Sequence, residues 1–229
     1  MFPFLIANNN KGYKTLIYCS INAKGSNHVP KNELHDRLIT YGQMNLIFRA
    51  RNLWREFVVW SRVYLISRVA GIGMAEDVFN RIYLIPTQFG DIMRLVFGDQ
   101  AAEKSIQLLS STVILLRNLV EAIIADDRAA VDQLVRDLYK IADERAAHLA
   151  SINPFWDEIQ WKYLIYTFYS YSFQEIMSIL TSDPRNIDLF DRFLQYADTM
   201  GDYFSQGLYN YLTYQQPREM LPNLHAIKP

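Results

Sequence analysis

Residues 105–124 read SIQLLSSTVILLRNLVEAII. Within them Ile106, Leu109, Val113, Leu116, Val120 and Ile123 return at alternating steps of three and four, the spacing of a helix face packed in a bundle. Directly after comes Asp126-Asp127, a very short connection in which the Asp127 carboxylate can accept bonds from the orphan N–H groups of a new helix. So short a link turns the next segment, about 128–151, back antiparallel. Its apolar positions Val131, Val135, Leu138, Ala142 and Leu149 repeat the same period.

The pattern extends in both directions. Upstream, about 41–69 carries Ala50, Leu53, Phe57, Trp60 and Tyr64 at steps of three and four, widened by Ile47, Trp54, Val58 and Leu65, and stops at Gly71-Ile72-Gly73. Two short helices are expected at about 75–84 and 87–97, divided by Pro86, which cannot donate a helical backbone bond, and closed by Gly98. Downstream, Asn153 followed by Pro154 reads as a cap and a first helical position, opening a helix that runs to about Thr181. Asp183-Pro184 repeats the device for a last helix, about 184–213, with Phe190, Phe193, Ala197, Met200, Phe204 and Tyr211 on one seam. Tyr166 to Phe173 is rich in strand-favouring residues. Its flanks, Trp156 to Lys162 and Gln174 to Leu180, are helix formers, so the segment is read as helix. The expected fold is all-α: an up-and-down bundle of four to five long helices with two short helices inserted after the first.

The ends differ. Residues 1–35 contain Asn8-Asn9-Asn10-Lys11-Gly12 and Lys24-Gly25-Ser26-Asn27, which are turn or coil signals. They read either as a hairpin pairing Phe4 to Ala7 with Thr15 to Ile21 or as an extension in coil. The bundle domain is expected over 36–214, and 215–229, with Pro217, Pro222 and Pro229, as an extended tail.

With 50% hydrophobic, 14% aromatic and 21% charged residues among 229, the chain lies outside the composition of disordered proteins. Its 23 basic and 24 acidic side chains nearly cancel, which removes the broad attraction that drives non-specific nucleic-acid binding. The single cysteine, Cys19, cannot close an internal disulfide or build a multi-cysteine metal site, and points to a reducing, cytoplasmic setting. No membrane insertion is expected: Arg62 and Arg68 interrupt one apolar stretch, Arg117 and Glu121 the next, and Phe2 to Ala7 is too short for a signal-peptide core.

Catalytic patterns find no foothold. A di-iron bundle needs Glu-x-x-His on two helices, and the nearest pairing here is Glu144 with His148, read as a surface or helix-end pair. His28, His35 and His225 fall in or near the tails. Ser110, Ser111 and Thr112 lie inside a helix rather than on the strand-to-helix elbow of a hydrolase, and Gly71-Ile72-Gly73 lacks the lysine and third glycine of phosphate loops. Arg49, Arg51, Arg55, Arg62 and Arg68 read as a solvated face or one paired with acidic neighbours. The aromatics Trp54, Trp60, Trp156, Trp161, Tyr163, Tyr166, Phe168, Tyr169, Tyr171 and Phe173 are too many for two helices to turn inward, so some are expected at the surface, where they suit a protein interface.

Trp54-Arg55-Glu56 with Val58 and Trp60-Ser61-Arg62, then Ala142-Asp143-Glu144, then Ala150-Ser151-Ile152-Asn153-Pro154-Phe155-Trp156, Glu158-Ile159-Gln160-Trp161 and Ala197-Asp198-Thr199-Met200 occur in one order. In these pieces the stretch from Trp54 to about Leu212 resembles a family of small bacterial all-helical proteins of unknown function, some of which carry an acetylglutamate kinase label. That label implies a glycine-rich α/β nucleotide site, which these residues do not offer. The resemblance implies an inward histidine on three long helices; those positions here are Phe57, Thr112 and Phe168, and Asp143 alone remains of the implied polar cluster. Phenyl rings cannot replace imidazole ligands. No cofactor is expected. The function expected is non-catalytic, through a homo-oligomer or a protein partner. The alternative is a metal- or small-ligand-binding bundle using Asp143 with Glu56, Glu121 or Glu144.

Overall fold

The computed structural model describes residues 40–214; the expected hairpin or extension, Cys19, His28, His35, His225 and the proline-containing tail lie outside them. All the described residues belong to one compact unit. The described residues form helices and turns with no strand: α1 (Tyr41–Ala70), α2 (Ala75–Tyr83), α3 (Ile85–Phe97), α4 (Asp99–Ile124), α5 (Arg128–Ile152), α6 (Glu158–Leu180) and α7 (Asn186–Tyr214). Tyr166 to Phe173 lies wholly in α6, where Trp161, Leu164, Ile165, Phe168, Tyr169, Ser172 and Ile176 form its buried face. Burial at helical spacing overrides local strand propensity there.

Caps explain the boundaries. Thr40 and Gln43 form a reciprocal capping box at the start of α1, whose end is fixed by Gly71 in the left-handed region at φ 66°. The Asp127 side chain accepts from the Ala130 N–H, as the sequence suggests. Three expected junctions shift. Pro86 does not divide α2 from α3; Leu84 does, and Pro86 sits in the first turn of α3, where a missing N–H costs nothing. Asn153 does not cap α6 but ends α5, its side chain accepting from the Phe155 N–H, and Asp157 caps α6 through the Gln160 N–H. Asp183 likewise accepts from the Arg185 N–H in a turn, and α7 begins at Asn186.

Packing runs in a ring. α1 lies on α7, α7 on α6, α6 on α5, α5 on α4 and α4 on α3, and α3 returns to α1. The centre is aromatic. Trp54 from α1 meets Phe89 of α3, Trp161 and Phe168 of α6 and Phe204 of α7, with ring centroids 5.2–6.5 Å apart. Trp156, on the turn before α6, stacks on Phe204 at 4.8 Å. Four elements share these rings, so the supposed surplus is absorbed: of the ten aromatics picked out in the sequence, Tyr163 alone is exposed. α4 buries two adjoining stripes rather than one. Ile106 reaches Gly90 on α3, and Ser105 meets His148 on α5, because this helix has a neighbour on either side. By length and composition α4 could also cross a membrane; its interruptions at Arg117 and Glu121 leave a sufficiently apolar window.

Four of the five α1 arginines reach acidic residues on other helices. Arg51 pairs with Asp202, Arg55 with Asp198 at 2.6 Å, Arg62 with Glu175, and Arg68 with both carboxylate oxygens of Glu121 at 2.7 and 2.8 Å. Such pairs fix the azimuth of α1 more than they stabilise it where they are exposed.

Candidate functional site

Phe57, Thr112 and Phe168 converge from α1, α4 and α6 on a cavity of about 30 Å³, also lined by Trp54, Arg145 and Tyr169. The Phe57 and Phe168 rings lie 5.8 Å apart, and the Thr112 hydroxyl is spent on the Leu108 carbonyl at 2.9 Å. Asp143 does not join them. It sits half-exposed on the other side of α5, accepting from the Tyr166 hydroxyl at 2.7 Å, with the Lys162 ammonium 3.6 Å away. The Asp143 hydrogen bond, with burial and charge, pushes the Tyr166 hydroxyl up to about 12.

The other carboxylates proposed as its metal-binding partners are dispersed. Glu56 accepts from Arg81 at 2.8 Å, Glu121 from Arg68 and Tyr64, and Glu144 is exposed. Among the described residues no three His, Cys, Asp or Glu side chains come together as metal ligands.

What sequence reasoning missed lies two residues along the same helix. Arg145 is 7% exposed and forms no ion pair among the described residues. Its guanidinium donates a long bond, 3.4 Å, to the buried Tyr169 hydroxyl. Arg145 also lines a second cavity of about 20 Å³, together with Trp54, Phe89, Ser105 and His148. The signal was present: Leu138, Ala142 and Leu149 are spaced four and seven apart, and Arg145 fills the inward position left between them. His148 is not a surface partner of Glu144. Its Nε2 lies 2.9 Å from the Ser105 hydroxyl and 3.2 Å from the Ala101 carbonyl, and burial holds the imidazole below its ordinary value of 6.5.

A third cavity, about 50 Å³, lies between α1, α2, α4 and α6 and is lined by Phe57, Tyr64, Val113, Ser172 and Glu175. Glu175 is 2% exposed; one carboxylate oxygen accepts from Arg62, and the other has no partner among the described residues. Burial raises the Glu175 carboxyl above the usual range, and Arg62 opposes that rise.

Outside, α1 presents a narrow stripe. Tyr41, Phe48, Asn52, Arg55, Val59 and Ile66 are all exposed and follow one another along a single face, with Tyr41 at 75% and Phe48 at 53%. The chain matches no family model, no curated protein and no solved structure.

Proposed function

We propose that the protein is an up-and-down helical bundle without catalysis that acts by binding a second copy of itself, the two α1 helices lying antiparallel across their exposed stripes. The register of the stripe supports this reading. In an antiparallel helix pair related by a two-fold axis, contacts are reciprocal, so a self-complementary stripe must be symmetric about one point. Here that point lies between Leu53 and Trp54: Tyr41 then faces Ile66, Phe48 faces Val59, and Asn52 faces Arg55, at once. Aromatic and aliphatic side chains meet toward both ends and polar groups meet at the middle, where an amide can accept from a guanidinium. The interior supports the absence of catalysis in this reading, because the aromatic rings at the centre leave cavities of only about 20 and 30 Å³ beside them.

Size-exclusion chromatography with light scattering tests it. The wild-type chain is expected at twice its monomer mass, and F48E and I66E each at the monomer mass with unchanged helical circular dichroism. A wild-type monomer at high micromolar concentration overturns the proposal.

A further inference from the structure

A guanidinium cannot shed its charge, and burying one without a counter-charge is costly unless an anion joins it. Arg145 is in that position: 7% exposed, without a carboxylate within ion-pair distance among the described residues, and held by a single 3.4 Å bond to a neutral phenol. The two cavities it lines share Trp54, Phe89 and Leu109 as well. The Trp54 indole N–H is buried and has no acceptor among the described residues. Arg145, with its fixed positive charge, and Trp54, with its orphan donor, therefore border the same two small spaces, whose other walls are mostly apolar and aromatic, with Ser105 and His148 at one and Thr112 and Tyr169 at the other.

We infer that Arg145 and Trp54 form a binding site for a small monoanion in the bundle interior, between α1, α4, α5 and α6. Size limits the ligand. Cavities of about 20 and 30 Å³ hold one or two water-sized groups, so a halide, nitrate or formate fits, whereas sulfate and phosphate bring a larger volume and a second charge that a single guanidinium leaves unbalanced. The planar fork of Arg145 suits a carboxylate or nitrate edge, and the Tyr169 hydroxyl beside it can turn its proton toward the same anion. This site is separate from the α1 stripe, and either can fail alone.

The test is thermal unfolding of the full chain at constant ionic strength, with gluconate replaced stepwise by chloride, nitrate or formate, and separately by sulfate. The melting temperature is expected to rise saturably with each small monoanion but not with sulfate, and the rise to vanish in R145M, which keeps the length of the side chain without its charge. A wild-type melting temperature indifferent to all three monoanions, or an equal rise in R145M, overturns the inference. Should R145M not fold, crystals of the wild-type chain grown in bromide decide. An anomalous peak within hydrogen-bond distance of the Arg145 guanidinium supports the site, and a cavity without one overturns it.

Discussion

Gly207 on α7 lies directly against the indole of Trp156, so that a β-carbon at this position would overlap Nε1 and Cδ1 of the ring. Trp156 is buried and stacked on Phe204, with Phe97 at 5.6 Å on another side, and has nowhere to retreat. G207A is therefore expected to lose about 1–3 kcal/mol by overpacking, although alanine is the better helix former. G42A, whose β-carbon would meet only the Thr40 hydroxyl at an ordinary contact distance of 3.9 Å in the exposed first turn of α1, is the control and is expected to be neutral or slightly stabilised. Urea unfolding of both variants checks the contrast.

Arg62 holds the buried Glu175 carboxylate in place and is itself tied to the Asn186 side-chain oxygen at 2.8 Å. Removing it in R62L leaves an uncompensated charge inside the bundle, which costs about 3–5 kcal/mol at neutral pH. The sign of the pH dependence follows from the raised Glu175 carboxyl. Protonation removes the buried charge, so the penalty of R62L is expected to shrink as pH falls into the acid range. Denaturant midpoints of wild type and R62L at pH 7 and pH 5 measure it; a penalty that grows toward pH 5 contradicts the assignment.

The neutral imidazole of His148 is favoured by folding, since burial lowers its value from 6.5. The unfolded chain then binds the extra proton first, and stability declines as pH drops below about 6.5 toward the folded value. H148Q retains a donor near Ser105 and Ala101 without titrating. A flatter stability profile below pH 6.5 is expected for it than for wild type, read from unfolding midpoints across that range.

Asp143 raises the Tyr166 hydroxyl through a direct bond. In D143N the phenol is expected to titrate below its wild-type value of about 12, followed at the ζ-carbon by NMR of tyrosine-labelled protein. An unchanged Tyr166 titration would place Asp143 elsewhere, including the interior position that the family resemblance implied for it.

Sequence periodicity carried the helices well because each apolar stripe has a neighbour to bury it. Even the strand-like run Tyr166 to Phe173 obeys, its rings being shared among α1, α6 and α7. Junctions were less legible. Asn153-Pro154 and Asp183-Pro184 look like helix starts, yet the amide and the carboxylate each accept from the backbone N–H two residues ahead, and the helices open three to five residues later. The candidate site was less legible than the helices. The positions implied by the resemblance, Phe57, Thr112 and Phe168, line one cavity, but Asp143 lies about 200° around α5 from Arg145, on a different face. Arg145 was overlooked because a charged residue in an apolar stripe reads as a gap in it. The inward turn of the aromatics was hidden for a different reason: which helices share a core is a property of their packing, and α3 and α7 supply the missing partners.

Electron–electron dipolar spectroscopy on spin-labelled α1 tests self-association most directly. With Cys19 replaced by serine, a label at N52C sits beside the two-fold axis and one at Y41C at the end of the stripe. The antiparallel pair predicts a short distance between the two N52C labels and a much longer one, about 37 Å along the helix axis at 1.5 Å per residue, between the two Y41C labels. Equal short distances at both positions, or no dipolar signal between chains at either, would contradict it.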